Sequence, residues 1–232
     1  MNNMDHNKIL IIPAAAYTEI NEQFIPEIFK INDTGRMNII SNMIDLPLSD
    51  FDKIYIVVNQ RIDEIYNIEN MLQVQLKNEE FADKTHVVIV KNTRNVVDTV
   101  LQTVEQIPYS KFGVFIKDAD ASFNITELNN ENTVYTYKLE DVKEINPSSK
   151  SYVSTTSDDV VLNIIEKRVI SSEFCVGGYY FNDIKKFVDL CECVHEYDKL
   201  YLSNVIYYDI LRNSEIYRTE QVIRFSEWFF KY

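Results

Sequence analysis

Two aspartates spaced two positions apart, Asp118 and Asp120, end an apolar run of strand length, FGVFIKDADASF over residues 112–123. Hard carboxylate oxygens at such a point suit a divalent cation, Mg2+ or Mn2+. Such an ion bridges phosphate oxygens and neutralises the charge that develops in phosphoryl or glycosyl transfer. In open α/β sheets ligands collect beyond the carboxyl ends of strands, which is where this pair would fall. Aspartate also favours turns, so a solvated strand-to-loop junction is the plainer alternative for the same residues.

Two later features invite the same double reading. Glu166 and Lys167 close the apolar stretch VVLNIIEK (160–167), and Gly177–Gly178 interrupts FCVGGYYF (174–181). The glutamate and lysine either meet a ligand or form an exposed ion pair of small energetic worth. With four glycines in the chain, two adjacent ones point to a required backbone conformation. A β-bulge and a close ligand approach both satisfy that requirement. So few glycines also leave no glycine-rich phosphate cradle, and a phosphate group must be met by ordinary backbone amides, cations and a metal.

The elements that must position these residues follow from hydrophobic periodicity. Strands are expected at Lys8–Pro13, Lys53–Asn59, His86–Val90 and Phe112–Lys117, each rich in Ile, Val or aromatic residues. Helices are expected between them at Met37–Ile44, Ile62–Leu76 and Val96–Ile107. In the last of these Val97, Val100, Leu101 and Val104 form an apolar stripe, with Asp98 and Thr99 off it. This alternation predicts an α/β fold with a mostly parallel sheet flanked by helices. The second half offers strands at Val134–Leu139, Ser151–Thr155, Val160–Ile165 and Phe174–Phe181, a mixed or antiparallel extension, then helices at Asp183–Cys193 and Leu200–Leu211. EINPSSKS (144–151) reads as a loop.

Composition narrows the function class. The 232 residues carry a formal net charge of -13, which argues against a nucleic-acid partner and leaves small phosphorylated molecules open. No segment approaches the roughly 20 apolar residues of a membrane span, and the polar start lacks the core of a secretory signal, so a cytoplasmic protein is expected. Three cysteines in such a chain predict reduced thiols. Cys191, Cys193 and His195 do not make a zinc clip, because helical residues two apart do not share a face and no fourth ligand is evident. His86 and His195 have no recognisable partner for a nucleophilic triad.

Taken in order, KILIIPAAA (8–16), NVVDTVLQTVEQI (95–107), FIKDADASF (115–123) and VVLNIIEKRVISSEFCVGGYYF (160–181) resemble the sugar nucleotidyltransferases, the NDP-sugar pyrophosphorylase family with a GT-A type Rossmann-like fold. The resemblance spans nearly the whole chain. It implies one domain, with 1–123 as a nucleotide-binding half and 124–232 as an acceptor-binding half. It also implies that Ala14, Ala15, Ala16 and Thr99 face the nucleotide and that Asp118 and Asp120, with Glu227 as a further ligand, hold the metal. Glu166 would hydrogen-bond the acceptor, Lys167 would approach its phosphate, and Gly177 would admit the ligand close to backbone. The reaction implied joins a nucleoside triphosphate to a phosphorylated sugar or similar small acceptor and releases pyrophosphate.

The first loop departs from that pattern. The family has a glycine-containing G-x-G-x-R followed by Pro-Lys, whereas this chain reads AAAYTEINEQFIPEIFK (14–30), with no Arg and with Glu27 after Pro26. A carboxylate there repels a triphosphate, and electrostatic stabilisation is usually the largest catalytic term. Lys30 or Arg36 is the neighbouring cation that would have to substitute. Two alternatives therefore stay open: a GT-A glycosyltransferase using a nucleotide-sugar donor, and a relative that binds nucleotide or sugar without turnover.

Overall fold

Strand β1 (Lys8–Ala14) sends its buried side chains alternately to the two faces of a sheet: Leu10, Ile12 and Ala14 join one apolar cluster, Ile9 and Ile11 the other. A strand covered on both faces must be apolar throughout, hence the unbroken ILII. The computed structural model describes residues 7–15, 25–108, 112–142, 144–194 and 199–227.

The first half contains α1 (Asn38–Met43), β2 (Lys53–Asn59), α2 (Gln60–Tyr66), α3 (Ile68–Leu76), β3 (Thr85–Val90), α4 (Val96–Gln106) and β4 (Gly113–Lys117). The second contains β5 (Ala121–Phe123), β6 (Thr133–Lys138), β7 (Ser151–Thr155), β8 (Val161–Glu166), β9 (Glu173–Phe181), α5 (Ile184–Val194), α6 (Leu202–Asn213), β10 (Arg218–Gln221) and β11 (Phe225–Glu227). The central sheet runs β10-β6-β9-β4-β1-β2-β3. Of the neighbour pairs along it, only β4–β9 and β6–β9 are antiparallel, so the sheet is mixed and mostly parallel, as expected. The β7–β8 hairpin hangs from β9 through Tyr152 opposite Phe174. Residues of α1 and α3 pack on one face with Leu10 and Ile12, and residues of α4, α5 and α6 pack on the other with Ile9 and Ile11.

Most expected elements appear within one or two residues of their predicted bounds, with four differences. The helix expected over 62–76 is two helices, because Asn67 takes the left-handed conformation (φ 55°) and closes α2 before α3 begins, a role asparagine fills readily. Thr99 is not off the buried stripe of α4: it is 2% exposed, and it shares the buried face with Thr103 one turn on. The expected loop over 144–151 holds a single turn of 3-10 helix at Pro147–Ser149, and its last residue, Ser151, opens β7. β5, β10 and β11 carry no apolar run long enough to announce them; β10 reads RTEQ and borders the sheet.

Two of these unforeseen strands shape the site. β4 ends at Lys117, the chain turns through Asp118 to Asp120, and β5 leaves as the partner of β11, with Ala121 opposite Glu227. The last described segment of the chain is thereby laid beside the aspartate turn. Among the described residues no helix is long and apolar enough to cross a membrane.

Candidate active site

At the carboxyl end of β4 lies a cavity of about 300 Å³. Asp118, Asp120, Glu166, Lys167, Gly177 and Glu227, drawn from four separate segments, all line it. The sequence-derived acidic and lysine candidates therefore meet in one place. The nucleotide-side candidates do not. Ala14 and Ala15 are buried at the end of β1 and outside the lining, and Ala16 falls outside the described residues. Thr99 also lies outside it, its hydroxyl engaged with Thr93 Oγ1 at 2.8 Å and the Asn95 carbonyl at 3.1 Å.

The Asp118 carboxyl is pushed up from 3.8 to about 7, first by burial and then by the charge of Asp120, with Lys150 and Lys117 pulling the other way. A carboxylate that burial and a neighbouring like charge disfavour is suited to a divalent cation, whose charge relieves both effects. Among the described residues no group of three or more His, Cys, Asp or Glu side chains is assembled as a metal site. Mg2+ often takes one or two carboxylates and completes its shell with water and substrate phosphate, so Asp118 and Asp120 fit that ion. Glu227, expected as a further ligand, lines the same cavity and is ion-paired with Lys150.

The aspartate turn is held from beneath by Lys117. Its side chain is completely buried, and its ammonium donates to the Asp118 carbonyl at 2.9 Å and to the Ala121 carbonyl, over the ring of Phe123. Burial lowers its pKa to about 8. Replacing Lys117 by Met would leave both carbonyls short of a donor. The expected loss is about 1–3 kcal/mol in urea denaturation, together with weaker ligand binding from a displaced Asp118. An unchanged midpoint would show that the turn holds without Lys117.

From the opposite side Gly177 presses on the same carboxylate. It sits in a bulge of β9, where the register against β6 slips between Tyr135 and Thr136, with φ +84°. Its carbonyl accepts from the Asp118 amide at 2.7 Å, and a Cβ placed there would lie 2.5 Å from Asp118 Oδ2. Bulge and close approach are both present, and the neighbour it makes room for is Asp118.

Glu166 and Lys167 are not paired with each other. Glu166 Oε2 accepts from Ser203 Oγ at 2.7 Å and from Ser151 Oγ, which fixes one carboxylate oxygen. Lys167, left-handed at φ 56°, donates to Tyr201 Oη and lies over the Tyr201 ring, 4.5 Å from its centre. The exposed-ion-pair reading thus gives way to two separately held groups. Ser151, Ser203, Tyr201 and Lys150 escaped sequence reasoning. Ser151 faces Glu166 only through the β7–β8 register. Lys150, in what reads as a polar loop, is 8% exposed and lines the cavity.

The first-loop substitutes lie elsewhere. Glu27 and Lys30 neutralise each other at 2.6 Å, Arg36 bonds Glu79 at 2.8 Å, and none of the three lines the cavity. The cysteines are free; Cys191 is buried and Cys193 exposed, so neighbouring positions on α5 face apart.

A mostly parallel sheet that turns antiparallel after β4 and is flanked by helices is a GT-A type fold. No family model and no curated protein matches the sequence. Solved structures match along nearly the full length. The inositol-1-phosphate CTP transferase from T. maritima is 14% identical with TM-score 0.67, covering 97% of this chain and 89% of its own. A nucleoside-diphosphate-sugar pyrophosphorylase from Vibrio cholerae is 13% identical with TM-score 0.68, covering 92% and 91%. The CTP:phosphocholine cytidylyltransferase from Streptococcus pneumoniae is 16% identical with TM-score 0.63, covering 96% and 93%. At such identities what is shared is the fold.

Proposed function

We propose that the chain is a metal-dependent nucleotidyltransferase that joins a nucleoside triphosphate to a phosphorylated sugar or similar small acceptor. The observation carrying this reading is the convergence of Asp118, Asp120, Glu166 and Lys167 on one cavity at the end of β4, in a fold shared with proteins of that activity. An acceptor phosphate oxygen attacks the α-phosphorus of the triphosphate, the bond from that phosphorus to the bridging oxygen breaks, and pyrophosphate departs. Asp118 and Asp120 would hold a divalent cation, which would supply charge neutralisation to the phosphates. Glu166, fixed by two serine hydroxyls, orients the acceptor through hydrogen bonds, and Lys167 meets its phosphate. Residues 1–123 would then contribute the nucleotide side and 124–232 the acceptor side.

One observation favours a binding protein without turnover: Glu27, Lys30 and Arg36 do not reach the cavity, so none of them replaces the family's missing first-loop cations. A single assay separates the readings. Nucleoside triphosphates are paired with phosphorylated sugars and phosphorylated alcohols, with Mg2+ and with chelator, and pyrophosphate is measured. Release that needs triphosphate, acceptor and metal together is the expected result. Transfer from a UDP- or GDP-sugar without pyrophosphate would identify a glycosyltransferase instead, and nucleotide binding with no turnover across the panel would leave a binding protein.

A further inference from the structure

We infer that Lys150 is a second phosphate-facing cation of this cavity beside Lys167, held on Glu227 until a phosphate-bearing ligand enters. This rests on the reading that the cavity takes such a ligand, and it names the side chain that would supply the charge absent from the first loop. Among the described residues the cations lining the cavity are Lys150 and Lys167, against the carboxylates Asp118, Asp120, Glu166 and Glu227. Lys167 is exposed and already laid on Tyr201, with its ammonium on the phenol oxygen. Lys150 is the embedded one. Its side chain is 9% exposed, its ammonium is ion-paired with Glu227 and lies 5.4 Å from the centre of the Phe225 ring.

The backbone beneath Lys150 is fixed rather than loose. Its carbonyl accepts from the Lys167 amide at 2.9 Å, and the next residue, Ser151, is registered opposite Glu166. The β7–β8 hairpin therefore presents Lys150, Ser151, Glu166 and Lys167 together at one end, facing the turn that carries Asp118. A strongly hydrated ammonium buried this deeply needs polar partners, and where Lys117 has two carbonyls Lys150 has the carboxylate of Glu227. An incoming phosphate offers Lys150 a second anion, with more charge and more acceptor oxygens than Glu227. The Phe225 ring, 5.4 Å from the ammonium at its centre, gives Lys150 a contact that does not depend on Glu227.

The competing account is that Lys150 merely cancels the charge of Glu227 and never touches ligand. A double-mutant cycle divides the two. Binding of inorganic pyrophosphate is measured by calorimetry on the full chain, first with chelator and then with Mg2+, for wild type, Lys150→Met, Lys150→Arg, Glu227→Gln and the Lys150→Met/Glu227→Gln double variant, with thermal melts as a check of folding. If Lys150 faces phosphate, Lys150→Met weakens metal-free binding about ten-fold or more, Lys150→Arg recovers most of it, and the double variant stays weak. Glu227→Gln, which frees the ammonium, tightens metal-free binding. If Lys150 only cancels Glu227, the double variant binds like wild type, and that result overturns the inference. Should Lys150→Met fail to fold, Glu227→Gln decides alone: unchanged or weaker metal-free binding overturns it. Pyrophosphate binding that follows this pattern while no nucleoside triphosphate is turned over would sustain the inference and remove the transferase reading. Wild-type protein that binds pyrophosphate under neither condition removes both.

Discussion

Asp118→Asn is expected to abolish metal-dependent nucleotide binding and turnover while the protein stays folded. Asparagine keeps the shape that fits beside Gly177 but loses the charge that attracts a cation, and Asp120 would be left to hold the ion one carboxylate short. The expected loss of turnover is at least about a hundred-fold, in keeping with the removal of one preorganised electrostatic contact. Retained turnover and retained Mg2+ dependence would take Asp118 out of the site. Stability without metal moves the opposite way. Because the Asp118 carboxyl titrates near 7 in the folded protein and near 3.8 in the unfolded chain, the folded state holds the extra proton between those values. Stability contributed by this group is therefore complete below about pH 4 and is lost as pH rises toward about 7. In Asp118→Asn this part of the slope disappears, and the metal-free protein at pH 8 gains about 2 kcal/mol, less than the full shift implies because the side chain is only partly buried. Chemical denaturation at several pH values in chelator reads both effects. A wild-type and variant pair with parallel pH profiles would show that Asp118 ionises normally.

Gly177→Ala is expected to be the second severe change, and for a reason that concerns backbone before chemistry. The position has φ +84°, where a side chain is strained, and the added methyl would start 2.5 Å from Asp118 Oδ2 and 2.7 Å from Asp118 Cβ. Neither neighbour can retreat easily: the Asp118 amide is bonded to the Gly177 carbonyl at 2.7 Å, and Lys117 pins the turn from below. The variant should lose about 2–4 kcal/mol of stability and, where it remains folded at low temperature, bind metal nucleotide poorly. Gly35→Ala serves as the control. Gly35 also has positive φ (+82°), but its Cβ would meet nothing within 4 Å, so only the backbone cost applies. Equal losses in the two variants would show that crowding of Asp118 contributes nothing.

The amino-acid sequence by itself determined the strand and helix pattern, because burial on both faces forces unbroken apolar runs such as KILII and IYIVV, while α4 must keep Val97, Val100 and Val104 on one side. It also exposed Asp118 and Asp120, since a carboxylate pair closing such a run is visible without coordinates, and it marked Gly177 through the scarcity of glycine. Tertiary structure decided the rest of the site. The pairing of Glu227 with Lys150, the serine grip on Glu166 and the placement of Lys167 on Tyr201 join residues tens of positions apart, and each depends on a strand register or a helix docking. Short polar strands such as β10 and β11 form because a neighbouring edge offers hydrogen-bond partners, a circumstance that no local pattern encodes. Lys150 shows the division most clearly: in PSSKS it reads as a solvated loop lysine, and only the folding of β7 and β11 around it buries its ammonium beside a carboxylate.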